Sequence, residues 1–160
     1  EYQIINYGDV MLELMREKAG VTHRDDMRKI PTEVYRDIQR EAGRRIAEAA
    51  KQKSVIVDTH CLVKKPEGYY PGLPIWVLQE LNPEVLIIVE ASPEEISKRR
   101  TKDADRKRDQ EMLDEINEHQ QLNRATAMAY SAISGAAVKI IKNHDERLNE
   151  AVTNMISVLR

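Results

Sequence analysis

This sequence predicts an α/β fold on a mostly parallel sheet, and three observations predict it. Short apolar runs of strand length, Val55-Ile56-Val57 and Val85-Leu86-Ile87-Ile88-Val89 among them, lack interleaved polar residues, as strands buried on both faces do. Segments with apolar residues three and four apart stand between these runs. Strands alternating with helices imply right-handed crossovers, a parallel sheet and helices on both of its faces.

The elements follow in order. The run Tyr2-Gln3-Ile4-Ile5-Asn6-Tyr7 reads as a strand closed by a Gly8-Asp9 turn, and Val10, Met11, Leu12, Leu14 and Met15 then take helical spacing. Residues 31–53 form the clearest long helix, with Val34, Ile38, Ala42, Ile46 and Ala49 on one face and Arg and Glu on the other. Val55-Ile56-Val57-Asp58 is a short buried strand. Residues 59–72, broken by Pro66, Gly68, Pro71 and Gly72, read as an irregular loop of functional character. A short helix over 74–81 ends at Asn82-Pro83, and strand resumes at 85–89.

Ser92-Pro93-Glu94-Glu95 is a helix start: Ser92 caps, Pro93 suits the first turn and Glu95 completes a capping box. Residues 101–109 are polar and read as a loop, followed by a long helix from about 110 to 134 that Gly135 stops. Val138-Lys139-Ile140-Ile141-Lys142-Asn143 is a last strand. Leu148, Val152, Met155, Ile156 and Leu159 outline an amphipathic helix. No internal repeat or low-complexity tract occurs.

A chain of 160 residues is one domain's worth. It is 41% hydrophobic with no Phe and one Trp, so its core must come from Ile, Val, Leu, Ala and Met. A formal charge of -2 argues against a nucleic-acid binder, which carries a basic excess over a face. Cys61 is the single cysteine, so no internal disulfide forms, and no Cys and His spacing resembles a zinc site. No apolar run approaches the roughly 20 residues that span a bilayer, and the first residues lack a signal-peptide layout. A cytoplasmic setting is the expectation.

Positive charge is local. Lys98, Arg99, Arg100, Lys102, Arg106, Lys107 and Arg108 cluster beyond a buried strand, where ligands of open α/β sheets collect and where a guanidinium fork grips two phosphate oxygens. The competing reading is a solvated helix face. Asp58 ends an apolar strand, where an acid needs a cation or a metal-bound water as partner; it equally suits a turn or loop cap. His60 stands two residues further on, as a ligand contact or a loop hydrogen-bonder. Gly8 permits close approach at the same sheet edge, or simply makes a βα turn. Arg28, in Asp25-Asp26-Met27-Arg28-Lys29, either reaches a phosphate or pairs with its acidic neighbours. Trp76, Tyr69 and Tyr70 read as packing residues, since no aromatic series interleaves with the basic ones. Cys61 beside His60 makes no nucleophilic pair, because adjacent residues on an extended chain point to opposite sides.

Taken in order, the stretches Asn6-Tyr7-Gly8-Asp9-Val10-Met11, Arg24-Asp25-Asp26-Met27-Arg28-Lys29, Val55-Ile56-Val57-Asp58-Thr59-His60, Gly72-Leu73-Pro74-Ile75-Trp76-Val77-Leu78, Glu80-Leu81-Asn82-Pro83 and Val138-Lys139-Ile140-Ile141-Lys142-Asn143 resemble the archaeal-type adenylate kinases, P-loop nucleoside monophosphate kinases, over essentially the whole chain. The resemblance implies a three-layer α/β/α domain with a parallel sheet in the order 2-3-1-4-5. It implies reversible transfer of the terminal phosphoryl of ATP to AMP with magnesium, giving two ADP and serving purine nucleotide balance. By match to the family, Gly8, Asp9 and Arg28 lie in the AMP site, and Asp58 acts near magnesium as an outer-sphere ligand. Arg99, Arg100, Arg106 and Arg108 clamp phosphates from a short lid at about 101–109 within a single domain, residues 1–160. Archaeal members are described as trimers.

Two departures from the pattern stand out. Bacterial and eukaryotic members follow the glycine-aspartate turn with an arginine for the AMP phosphate; here that position is Leu12, which leaves Arg28. The usual glycine-aromatic-proline-arginine after the strand-end aspartate is Thr59-His60-Cys61-Leu62, which leaves His60 and Lys64 as substitutes in the AMP site.

The larger departure is that no GxxxxGK[ST] loop occurs in these residues. The first strand here corresponds to the family's second. A preceding strand, P-loop and helix of about 30 residues are therefore expected in the native protein, and the 160 residues alone are expected to be inactive, since nothing else cradles the β- and γ-phosphates. Alternatives are a kinase for another nucleoside monophosphate, a non-catalytic nucleotide-binding or scaffold domain, and an oligomer whose neighbour supplies the strand.

Overall fold

The structure is a computed structural model that describes residues 1–100 and 106–159, with the side chains of Arg28 and of residues 106–109 outside the description. The chain divides into two compact units, Glu1–His60 with Pro71–Asn82, and Cys61–Tyr70 with Pro83–Arg160.

The first unit begins with strand β1 (Tyr2–Asn6), which pairs in parallel with β2 (Ser54–Asp58) in a register that sets Tyr2 opposite Ser54 and Asn6 opposite Asp58. Between them lie helix α1 (Tyr7–Ala19), a 3-10 helix (Arg24–Lys29) and helix α2 (Thr32–Ala50). Gly8-Asp9 is not a turn closing the strand: Asn6 caps α1 with its side-chain oxygen on the Asp9 N–H, which draws both residues into the first helical turn. The helix ends where Gly20 takes a left-handed φ of 65°, a conformation that favours glycine. Helix α1 buries Met11, Leu14 and Met15; α2 buries Ile38, Ala42 and Ile46, while Val34 at its start is 39% exposed.

Helix α3 (Ile75–Leu81) lies across α2. Gly43 allows that approach, because a Cβ there would stand 3.0 Å from the Glu80 Cβ and 3.6 Å from the Val77 carbonyl oxygen. The contact carries polar pairs as well. Trp76 donates its indole N–H to the buried Gln39 side chain at 3.1 Å, Arg36 lies 4.9 Å over the Trp76 ring, and Arg44 reaches Glu80 at 3.2 Å. Tyr7 donates to the Gln39 carbonyl at 3.3 Å, and burial pushes its phenol above the usual range.

The second unit holds a parallel pair, β5 (Val85–Glu90) and β6 (Ala137–Lys142), in a register from Val85 opposite Ala137 to Glu90 opposite Lys142. Helix α4 (Pro93–Arg100) follows β5, α5 (Arg106–Ser134) leads into β6, and α6 (Leu148–Ile156) follows it. The predicted loop over 101–109 is shorter than expected, since the backbone of 106–109 is already helical; residues 101–105 of the expected lid lie outside the described residues. The stretch 59–72 is not irregular: it holds a hairpin of β3 (Leu62–Lys65) and β4 (Gly68–Pro71) joined at Pro66-Glu67. The breakers there make a tight turn, not a long loop.

The order 2-3-1-4-5 contains two parallel pairs that do not involve strand 1, and these are the two parallel pairs observed. Two-stranded sheets leave side chains open that the sequence places inside. Ile4 is 73% and Val89 53% exposed. On α6 the buried residue is Ala151, while Leu148, Val152 and Ile156 face outward.

Candidate functional site

The chemistry gathers at the carboxyl ends of the two parallel pairs, one in each unit, where parallel strands deliver their last side chains beside the helices that follow.

In the first unit the register puts Asn6 next to Asp58, and the Asn6 amide uses both ends: its nitrogen donates to Asp58 Oδ2 at 3.3 Å and its oxygen accepts the Asp9 N–H at 3.0 Å. Asp58 itself is exposed, and the strand-end acid that the sequence flagged for a partner has a neutral amide beside it. Arg24, from the 3-10 helix, is ion-paired with Asp9 and packs its guanidinium against Gly8. Of the residues expected in the AMP site, Gly8 and Asp9 are thus together at one strand end, and His60 lies two residues beyond Asp58, exposed and without a side-chain partner among the described residues. The backbone of Arg28 belongs to the 3-10 helix; its side chain is outside the described residues.

Lys64 belongs to the hairpin of the second unit, and it is engaged there. Its ammonium lies 3.3 Å from Glu115 and 5.7 Å over the Tyr69 ring. The hairpin docks on α5 by polar contacts: Tyr69 donates to Glu118 at 3.1 Å and meets the His119 ring edge-on at 5.1 Å, and His119 Nε2 lies 3.3 Å from the Leu62 carbonyl oxygen. Tyr69 is therefore a packing residue with a polar handle. Cys61 donates to the Asn123 carbonyl at 3.4 Å, and burial pushes its thiol up to about 11, which keeps it protonated and no nucleophile.

At the carboxyl end of β5 and β6, Glu90 is buried at 4% side-chain exposure. The Arg124 fork donates to both its oxygens at 2.6 and 2.7 Å, and Lys142 donates at 2.7 Å. The Arg124 hydrogen bonds above all, then Lys142, hold its carboxyl below the usual range against the opposing effect of burial. One helical turn earlier on α5, the Gln120 side chain accepts the Ala91 N–H at 3.3 Å and donates to the Ala91 carbonyl at 2.9 Å. Two forks thus staple α5 to the β5–α4 turn.

The capping box at the start of α4 is present: Glu95 N–H donates to Ser92 Oγ at 3.2 Å and Ser92 N–H to Glu95 Oε1 at 3.1 Å. Glu95 also accepts the Asp145 N–H and meets His144 Nδ1 at 2.8 Å. Led by the Asp145 N–H, these donors bring its carboxyl down to about 2.

The two arginines closing α4 part company. Arg99 is held by the β6–α6 loop, donating to Asp145 at 2.7 Å and to the Asn143 carbonyl at 2.9 Å. Arg100 is exposed and has no ion pair among the described residues. Arg106 and Arg108 lie on the first turn of α5, with side chains outside the described residues.

Sequence reasoning missed Arg24, Glu90, Gln120, Arg124 and Lys142. Glu90 had a readable signal, an acid at the end of an apolar strand as at Asp58; the others depend on contacts 15 to 52 residues apart in the chain.

Among the described residues no group of three or more His, Cys, Asp or Glu side chains stands ready to hold a metal ion, and no helix is long and apolar enough to cross a membrane.

A family model described as an AAA domain matches residues 1–117. Adenylate kinase of Methanopyrus kandleri is 56% identical, over 99% of this chain and 84% of that protein. Adenylate kinase of Methanothermobacter thermautotrophicus is 54% identical over 99% and 86%, and that of Methanocaldococcus jannaschii 51% over 100% and 83%.

Proposed function

The chain belongs to the archaeal adenylate kinases, and on that premise we propose how its residues carry the reaction. It is a nucleoside monophosphate kinase, a phosphotransferase that moves the terminal phosphoryl of ATP onto AMP reversibly, giving two ADP. The observation that carries this is identity above 50% to three adenylate kinases along the whole chain.

Phosphoryl transfer asks a protein for position and charge neutralisation more than for covalent chemistry. In our reading Gly8, Asp9, Arg28, His60 and Lys64 serve the acceptor AMP. What supports Gly8 and Asp9 is their place in the first turn of α1 at a carboxyl strand end. Arg99, Arg100, Arg106 and Arg108 serve the transferred phosphates from a lid spanning about 101–109. Arg100, exposed and in no ion pair among the described residues, is best equipped of this set; Arg99 must exchange Asp145 for phosphate.

Magnesium fits this chain in one way. It binds through one or two carboxylates plus substrate phosphates rather than in an all-protein cage, and Asp58 is an exposed carboxylate at a strand end whose one side-chain partner among the described residues is the Asn6 amide. Asp58 would hold a water of the ion, which when bound to the nucleotide neutralises phosphate charge. A trimeric, cytoplasmic enzyme completes the reading.

The test is a coupled assay on the intact gene product with ATP, magnesium and, in turn, AMP, CMP, UMP and GMP. Two ADP per AMP with AMP preferred is expected. Preference for another acceptor makes it a different monophosphate kinase, and no turnover with any acceptor makes it a non-catalytic domain. Asp58→Asn is expected to raise the magnesium concentration needed for half-maximal rate.

A further inference from the structure

Gln120 stands in the middle of α5, where a helical glutamine ordinarily faces water, yet its side chain is committed to the backbone of another element. Its Oε1 accepts the Ala91 N–H at 3.3 Å and its Nε2 donates to the Ala91 carbonyl at 2.9 Å. Ala91 is buried at 7% exposure and lies one residue past the end of the β5–β6 ladder, which closes with the Asn143 N–H on the Glu90 carbonyl at 2.6 Å. The glutamine amide, a planar neutral group that both donates and accepts, takes the place there of the next strand residue.

The Ala91 peptide is the corner at which β5 becomes α4. The capping box of Ser92 and Glu95 sets where the helix begins, since each residue satisfies the other, but not which way it runs. Direction comes from the flanks. On one side Arg99 holds the β6–α6 loop through Asp145. On the other, α5 meets the corner and the helix along one stripe. Met112 accepts from the buried Ser97 hydroxyl at 3.4 Å, Gln120 grips Ala91 and Arg124 grips Glu90, at positions eight and four residues apart that share a helix face. Helix α4 has eight residues, so a lever of about 12 Å runs from the Ala91 corner to Arg100 at its far end.

We infer that Gln120 is a positioning residue for phosphoryl transfer: by holding the Ala91 peptide it sets the direction of α4 and with it the place of the Arg100 guanidinium. The inference rests on the adenylate kinase reading and on the part given there to Arg100. A charge that stabilises a moving phosphoryl group must be placed closely, and a misplacement of about 1 Å lowers the rate steeply, so a small swing at the corner is felt at the end of the lever. Gly8, Asp9 and His60, proposed for the acceptor, belong to the first unit, so AMP binding is spared.

The experiment is a double-mutant cycle on the intact protein: the unaltered chain, Gln120→Met, Arg100→Ala and the double variant, each measured for kcat and for KM of AMP. Gln120→Met is expected to lower kcat about 10-fold with KM for AMP within about twofold, and to change kcat by less than about twofold once Arg100 is alanine. A merely structural role lowers kcat by the same factor in both backgrounds, which overturns the inference. So does a rise in KM for AMP at unchanged kcat, and so does an Arg100→Ala variant with unchanged kcat, which leaves Gln120 nothing to act through. Should Gln120→Met not fold, Gln120→Glu takes its place in the cycle and the same results decide: its carboxylate keeps the shape and still accepts the Ala91 N–H, but offers the Ala91 carbonyl no donor. Absence of AMP-dependent ADP formation by the unaltered protein overturns the adenylate kinase reading itself, a different outcome from turnover that is indifferent to Gln120, which overturns the inference alone.

Discussion

Arg124, in the middle of α5, meets Glu90 at the end of β5 with both edges of its fork, Nε on one carboxylate oxygen at 2.6 Å and Nη2 on the other at 2.7 Å. Removing the fork leaves a buried carboxylate with Lys142 alone. Arg124→Met is expected to cost about 2 kcal/mol, less than the about 3–5 kcal/mol of a fully buried pair, because Lys142 remains and Arg124 is 40% exposed. The folded-state pKa of Glu90 lies below its ordinary 4.5, so this stabilisation is present above about pH 4.5 and drains away as pH falls through the folded value. Urea unfolding of the two proteins should converge toward low pH; a gap that widens there would contradict the assignment.

Glu95 titrates in the same direction over a wider window. Its carboxyl sits at about 2 against an ordinary 4.5, so the contribution of the Glu95, Asp145 and His144 contacts is complete above pH 4.5 and lost between there and about 2. Glu95→Gln should flatten the stability profile across that window. An unchanged profile would show the contacts to be without effect in solution.

Ser92 caps the same helix locally. Ser92→Ala is expected to cost about 1 kcal/mol in unfolding free energy, the usual value of a lost N-cap, with turnover retained. A cost near zero would mean that Glu95 alone organises the helix start.

Arg99 and Arg100 are adjacent but differently employed, and their alanine variants should separate. Arg100→Ala is expected to lower kcat on the order of 10²-fold, as loss of a charge-stabilising donor does, with little change in melting temperature. Arg99→Ala releases Asp145 and the β6–α6 loop and should lower the melting temperature as well. Equal effects of both on both readouts would sink the distinction.

Gly43 sits where α2 and α3 come closest. An added methyl gains about 1 kcal/mol of helix propensity but must push against the Glu80 Cβ at 3.0 Å, an atom fixed to the backbone. Overpacking of about 1–3 kcal/mol is expected to win, so Gly43→Ala should be destabilising. A stabilised variant on thermal unfolding would show that the helices can part.

The capping box was readable because Ser92 and Glu95 satisfy each other within one helical turn, and the long helices were readable because a 3.6-residue period is a local record of which face is covered. The hairpin was hidden by its own breakers: Pro66, Gly68 and Pro71 look the same in a loop as in a tight turn between two four-residue strands. At the candidate site, Gly8, Asp9 and Asp58 were legible as residues at strand ends. Their partners were not, since Arg24 lies 15 residues from Asp9 and Arg124 34 residues from Glu90.

By itself the sequence determined the α/β alternation, the order of the helices and parallel strands, the local caps and, through long resemblance, the reaction. Only the tertiary structure decided which cation faces which carboxylate: Arg24 on Asp9, Arg124 and Lys142 on Glu90, Arg99 on Asp145, with Arg100 in no ion pair among the described residues. The physical reason is range. Capping and periodicity are settled within a few residues, whereas an ion pair is settled by which elements abut, and that depends on the packing of the unit as a whole.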